Sequence, residues 1–191
     1  MITIRPETLA DIAPREKLLD TAFGNCRFSK TAERLREGRL PASGLSFVAC
    51  DGARVIGSVR LWHIAAGRSH PALLLGPLVV DCSWQRRGVG AALVHHVLRE
   101  AHRCGHGAVL LVGDAPYYGR FGFSAESAER LWLPGPFERE RLLGRELRAG
   151  ALAGAQGLIA ATGRLQPMPD LVAFLTAHLT RGGSAVTPHA A

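Results

Sequence analysis

Two stretches of this 191-residue chain carry residues whose types and spacing could do chemistry. The first, from Leu78, reads L-V-V-D-C-S-W-Q-R-R-G-V-G-A-A-L. An apolar strand, a short loop and a helix that opens on glycines make an anion site. The first turn of a helix leaves N–H groups unpaired at the positive end of its dipole. Gly88 and Gly90 carry no side chain to hold a pyrophosphate away, and Arg86 and Arg87 add charge beside it. The second stretch, Y-Y-G-R-F-G-F from Tyr117, brings two phenol hydroxyls, which can hand over a proton.

Two familiar phosphate-binding patterns are excluded. A dinucleotide fold needs G-x-G-x-x-G, and the third position here is Leu93, with no clearly placed acidic residue about 20 positions on. A Walker loop needs G-K-S or G-K-T, which the chain lacks. What remains, Gln85-x-x-Gly88-x-Gly90 after a bulged strand ending in L-V-V-D, resembles the pyrophosphate loop of the GNAT acetyltransferases. The later segment resembles that family's Y-x-x-x-G-F motif, with Tyr118 aligned to its recurrent tyrosine. The wording G-D-A-P-Y-Y-G-R-F-G-F is similar to that of the YhbS-like branch of small bacterial acetyltransferases. The resemblance covers residues 1–125 well and the last part of the chain loosely.

The resemblance implies a mechanism. Backbone N–H groups of Arg86, Arg87, Gly88, Val89, Gly90 and Ala91 hold the pyrophosphate of acetyl-CoA, and Gln85 frames the turn. The pantetheine arm lies like an added strand along the backbone of Leu78, Val79 and Val80. A neutral amine attacks the thioester directly, and Tyr118 protonates the leaving thiolate. The acceptor is an amine of unidentified type. No general base is evident: the strand at 73–80 contains no glutamate, and Asp81 is read as a loop-structuring residue. His63 and His70 are expected to be partnered or solvent-facing. The spacing His102-x-Cys104-x-His106 raises a metal question, but it straddles a helix end with no fourth ligand nearby, so no metal is expected.

The elements that must position these residues are legible from periodicity. A strand at 2–5 is closed by Pro6. Thr8 can cap a helix to about Phe23, with Leu9, Ile12, Leu18 and Leu19 inward, and Pro14 forces a late start or a kink. A second helix, charged and surface-exposed, is expected from Ser29 to Gly38. Strands follow at 45–50 and 54–64 around the Asp51-Gly52 turn, and another at 73–80, buried on both faces. Gly76-Pro77 within it predicts a bulge or splaying of the sheet. A helix at 88–104 turns Leu93, Val94, Val97, Leu98 and Ala101 to one side, and a strand lies at 108–112. Beyond Phe123 the signal weakens: 131–136 reads as loop, 146–150 and 156–161 as strands, 170–179 as a short helix and 181–191 as a frayed tail.

Fold class is therefore α/β (α+β), as the resemblance also implies. The chain reads as one domain at 1–165, with a mixed sheet of six to seven strands splayed between the fourth and fifth. Residues 166–191 add a C-terminal helix and tail. Composition agrees, with 47% hydrophobic and 20% charged residues. No apolar run reaches the roughly 18 residues of a membrane span, and no signal segment is visible, so a cytoplasmic location is expected. Four scattered cysteines lack a C-x-x-C pair and are expected to be small buried hydrophobes.

The net charge of +7 comes from scattered arginines, with lysine only at 17 and 30. That scatter argues against dedicated nucleic-acid binding, though a basic chain does attract polyanions such as coenzyme A. A homodimer through sheet edges is compatible with the pattern. Two other readings stay open at this level: a non-catalytic acetyl-CoA-binding module, and a nucleotide-binding α/β protein of another class.

Overall fold

The computed structural model describes residues 2–167. Its frame is one twisted sheet. Strands β1 (Ile2–Pro6), β2 (Ser46–Asp51), β3 (Arg54–Ala66) and β4 (His70–Val80) follow one another as antiparallel neighbours. The helix α1 (Ile12–Phe23) fills the interval between β1 and β2. After β4 the chain crosses through α2 (Val89–Arg103) to β5 (Ala108–Val112), which pairs parallel with β4. A short helix α3 (Ala115–Gly119) follows. A two-residue strand β6 (Leu131–Trp132) precedes β7 (Leu142–Glu146), which closes the sheet antiparallel to β5. Two further two-residue strands end the described chain: β8 (Gly157–Leu158) pairs with β6, and β9 (Ala160–Ala161) adds to β3. The mixed seven-stranded sheet has the expected class. Among the described residues no helix is long and apolar enough to cross a membrane.

Period-two alternation divides the core into two layers. Leu73 and Leu75 of β4, and Val109 and Leu111 of β5, meet the α2 stripe of Val89, Leu93, Val94, Val97, Leu98 and Ala101. The intervening Leu74, Ala108 and Leu110 face the opposite way, onto Leu131, Leu133, Leu142 and Ile159. Burial on both faces explains why β4 and β5 read as continuous apolar runs. Leu110 is fully buried, and its truncation to alanine would cost about 2–5 kcal/mol.

The β4 irregularity is a bulge with a definite address. Val59 pairs with Leu78 and Leu61 with Leu75, so β4 spends one more residue than β3 across Gly76-Pro77, a cis peptide. Pro77 has no N–H to give to a ladder. The Gly76 carbonyl accepts the Trp62 indole N–H at 2.5 Å. On the other side, pairing with β5 is confined to Leu73↔Val109 and Leu74↔Leu110. Beyond Leu74 the two strands part.

Several expectations are corrected. Thr8 does cap, within a box that Asp11 completes, but it caps a 3-10 turn, and α1 starts late at Ile12. That change of winding rotates the stripe: Leu9 and Ile12 are exposed, while Arg15 and Leu19, four residues apart, turn inward. The region expected as a second helix forms 3-10 segments at Gly24–Ser29 and Thr31–Leu35. It is not a solvated face either. Thr31 and Leu35 are buried, and the Thr31 hydroxyl donates to the Pro136 carbonyl. The strand expected at 146–150 is β7, ending at Glu146, whose carboxylate accepts the N–H groups of Gly150 and Leu152 and folds the chain into turns. Of the segments read as loop at 131–136 and strand at 156–161, only two-residue pieces are strand. Cys50 is buried, but Cys82 and Cys104 are exposed. The helix and tail expected beyond 168 lie outside the described residues.

Candidate functional site

Asp81 organises the loop between β4 and α2. Its carboxylate accepts the Ser83 N–H at 2.9 Å and the Ser83 hydroxyl at 2.6 Å, and pairs with Arg54 at 2.7 Å. Those bonds, Ser83's first, hold its acidity below the usual carboxylate range. It is a structural residue, as expected. The chain then runs through Gln85 in extended backbone and Arg86 at φ +61, a left-handed angle that costs a side-chain-bearing residue about 1–2 kcal/mol. Gly88, the N-cap of α2, is left-handed at φ +82. Left-handed residues interleaved in a loop aim successive N–H groups at one point, which is a nest for an anion.

The first bond inside α2 runs from the Ala92 N–H to the Gly88 carbonyl at 2.9 Å. The N–H groups of Val89, Gly90 and Ala91 therefore have no helical acceptor. Above Gly88 the space is open: a side chain there would meet no atom within 4 Å. Gly90 is crowded instead, since an added Cβ would lie 2.9 Å from the Tyr117 hydroxyl. Arg86 and Arg87 are exposed, and the Arg87 guanidinium sits 5.1 Å over Trp84. Their charge adds to the dipole of a fifteen-residue helix.

Where β4 and β5 part, a cavity of about 700 Å³ opens. One wall is Leu75 to Leu78 across the bulge, and the facing wall is Val112, Gly113, Asp114 and Tyr118. The floor is built from α1 and the 3-10 segments. A second hollow of about 400 Å³ lies past Val80, bounded by Lys17, Arg54, Asp81 and Gln85. The expected residues fall in three places. Tyr118 and Leu78 line the first cavity, Val79 is buried in the sheet, and Val80 and Gln85 line the second. Gly88 to Ala91 follow at the helix mouth.

Tyr118 stands on α3, whose N-cap Asp114 accepts the Tyr117 N–H at 3.1 Å. Its ring packs edge-on to Tyr117 at 4.9 Å and to Phe123 at 6.0 Å. Burial, with Tyr117 adding to it, pushes the Tyr118 phenol up to about 12. It stays protonated at any physiological pH.

Three of the four acids at the cavity are engaged. Glu16 pairs with Arg15 and Arg27, Glu33 with Arg36, and Asp114 with its helix, while Glu138 is exposed and 3.8 Å from Arg141. His63 faces His106 at 5.4 Å, and His70 Nε2 meets the Ala153 carbonyl at 3.0 Å, so neither lines the cavity. Among the described residues no group of three His, Cys, Asp or Glu side chains could hold a metal. Sequence reasoning missed Arg27, Arg36 and Trp62 as lining residues. The residues that turn inward here are Thr31 and Leu35, and because one of them is polar no apolar spacing marked the face.

Known proteins are similar to this chain in sequence and fold. The acetyltransferase (GNAT) domain family matches residues 42–125. The N-acetyltransferase YhbS of Escherichia coli (strain K12) is 29% identical over 157 residues, 82% of this chain and 93% of its own length. The Escherichia coli YhbS crystal structure in complex with CoA superposes with a TM-score of 0.72, covering 84% of this chain and 89% of that one. A GNAT family acetyltransferase from Brucella melitensis, in complex with acetyl-CoA, is 26% identical with a TM-score of 0.56, over 76% of this chain and 96% of that one.

Proposed function

We propose that this chain is a GNAT-family N-acetyltransferase, with acetyl-CoA as its donor and a primary amine as its acceptor, joined in a ternary complex. The observation that carries the reading is the parting of β4 and β5 beyond Leu74, which opens a cavity walled on one side by Tyr118. The pyrophosphate binds the N–H groups from Arg86 to Ala91, with Gln85 framing the turn. The pantetheine takes the backbone of Leu78, Val79 and Val80 as a strand would, which brings the thioester to the bulge at Gly76-Pro77.

The chemistry needs little from side chains. The two reactants held in line supply much of the rate, and a backbone amide of β4 beside the bulge steadies the oxygen as it gains charge. Attack by the amine nitrogen forms the C–N bond and breaks the C–S bond. The electron pair leaves on sulfur, where the Tyr118 phenol provides the proton. The burial that raises the phenol also raises a thiolate lodged beside it, which offsets part of the uphill step from phenol to sulfur. We assign the amine's own proton to water in the cavity, since Glu16, Glu33 and Asp114 are held by arginines or a helix cap and Glu138 is exposed to solvent. A cytoplasmic location goes with this reading.

Calorimetry with acetyl-CoA, followed by thiol release against a broad amine panel, tests the reading. Micromolar binding with amine-dependent release of CoA is expected. Binding without turnover on any amine would leave only a coenzyme-binding module.

A further inference from the structure

Two arginines in the cavity wall are short of acceptors. The side chain of Arg36 is 9% exposed and that of Arg27 16%. Arg36 gives one terminal nitrogen to Glu33 at 2.7 Å, and Arg27 gives one to Glu16 at 2.7 Å and Asp20 at 2.9 Å. The Nε–H of each is shut away from solvent and has no partner among the described residues. Each guanidinium has five N–H donors, so Arg36, with its one carboxylate contact, is a poorly served buried cation. Burial, and then the nearby charge of Arg27, make the Arg36 cation harder to keep. The other terminal nitrogen of Arg36 lies over the bulge, 3.4 Å from where a Cβ of Gly76 would stand.

Among the described residues the cavity is lined by five basic and four acidic side chains, and Arg60 and Arg27 also pair with Glu7 and Asp20 outside the lining. A phosphate dianion would face the carboxylates of Glu16, Glu33, Asp114 and Glu138, whereas a single carboxylate meets the least repulsion. Planar bidentate carboxylates also fit the guanidinium fork. The thioester, in the reading above, reaches the bulge at Gly76-Pro77, over which the Arg36 guanidinium lies. The anion and the reacting nitrogen are therefore only a few bonds apart.

We infer that the acceptor is a small amino acid, its carboxylate held by Arg36 with Arg27 behind it and its amine delivered to the bulge. The inference rests on the acetyltransferase reading and adds the substrate class. Arg36 and Arg27 then set specificity, and the bulge sets reach.

The test uses the full chain with acetyl-CoA against the twenty amino acids, their carboxamides and the corresponding decarboxylated amines. At least one amino acid should exceed its carboxamide tenfold or more in kcat/KM, chiefly through KM. Arg36→Gln should bring that ratio to within twofold, and Arg36→Lys should restore part of it. Arg27→Gln, farther from the bulge, should reduce the ratio by a smaller factor, which keeps a readout if Arg36→Gln fails to fold. Calorimetric affinity for acetyl-CoA, unchanged in a sound variant, certifies each protein. Equal use of acids and carboxamides, turnover only of amines without a carboxylate, no turnover of any amino acid, or a ratio that survives both substitutions would each overturn the inference while leaving the enzyme in place. Failure to bind acetyl-CoA at all would instead remove the reading beneath it.

Discussion

The Tyr118 ring lies against the backbone of Gly113 so closely that a Cβ at Gly113 would come within 2.3 Å of ring atom Cε2. Gly113 directly follows β5, so the ring is seated on the strand end that borders the cavity. The pose of the phenol is thus set by backbone, not by a hydrogen bond. A methyl group at 113 cannot be absorbed by a flexible tip and must push the whole ring aside. Gly113→Ala should lower stability by about 1–3 kcal/mol and reduce kcat more than affinity for acetyl-CoA. Denaturant midpoints alongside steady-state kinetics measure both.

Tyr118→Phe keeps the ring and removes the proton. Acetyl-CoA affinity should stay within twofold of wild type while kcat falls about a hundredfold. Because the phenol titrates at about 12, the wild-type pH–rate profile should show no alkaline fall from Tyr118 below about pH 10. Its acid limb should follow deprotonation of the amine. An unchanged kcat in the variant would remove the proton-donor role.

Gly88→Ala places a side chain at φ +82 in open space. The strain is about 1–2 kcal/mol, spent at the helix mouth where the phosphates are proposed to bind. Affinity for acetyl-CoA should weaken about tenfold, but turnover of acetyl-pantetheine, which has no pyrophosphate, should be unaffected. Parallel kinetics with the two donors distinguish a lost phosphate contact from general damage.

The Asp11 carboxylate is buried, accepts the Thr8 N–H at 2.8 Å and meets Arg5 at 2.6 and 2.8 Å. The Arg5 bonds above all hold its acidity well below the usual carboxylate range. Its folded pKa is depressed, so the stability it gives is full above pH 4 and is lost as pH falls below that value. Asp11→Ala should cost about 1–2 kcal/mol at pH 7, and the gap to wild type should narrow steadily below pH 4. Urea midpoints at a series of pH values give the comparison.

Much of this architecture can be read from residue order. The α2 stripe from Leu93 to Ala101, the doubly buried β4 and β5, and the Gly76-Pro77 bulge all follow from local pattern, because each is dictated by burial on a fixed period. The cavity floor does not follow. Leu9 and Ile12 have the spacing of a buried stripe, yet a 3-10 turn at Leu9–Asp11 shifts the phase and sends them outward. Residues 29–38 look like a charged surface helix, and only contacts with Pro134 and Pro136, about a hundred residues away, show them to be a wall. Arg36 could not be singled out among so many arginines, since what distinguishes it is burial. Tyr117 and Tyr118 are adjacent letters with different neighbours. One reaches toward Gly90 and the other lines the cavity, and the difference lies in the winding of α3.

Only two residue pairs join β4 to β5, and beyond them β4 presents backbone groups with no partner on β5. In the proposed complex the donor's amide-bearing arm takes up those groups, so the cosubstrate doubles as a cohesive element between the two halves of the molecule. Melting temperature should then rise with acetyl-CoA, the gain approaching about 2.7 kcal/mol at a hundredfold excess over Kd. Amide hydrogens of residues 76–80 and 112–114 should slow their exchange with solvent together. Release of CoA after each turnover would loosen that seam again, tying the enzyme's rigidity to its own catalytic cycle.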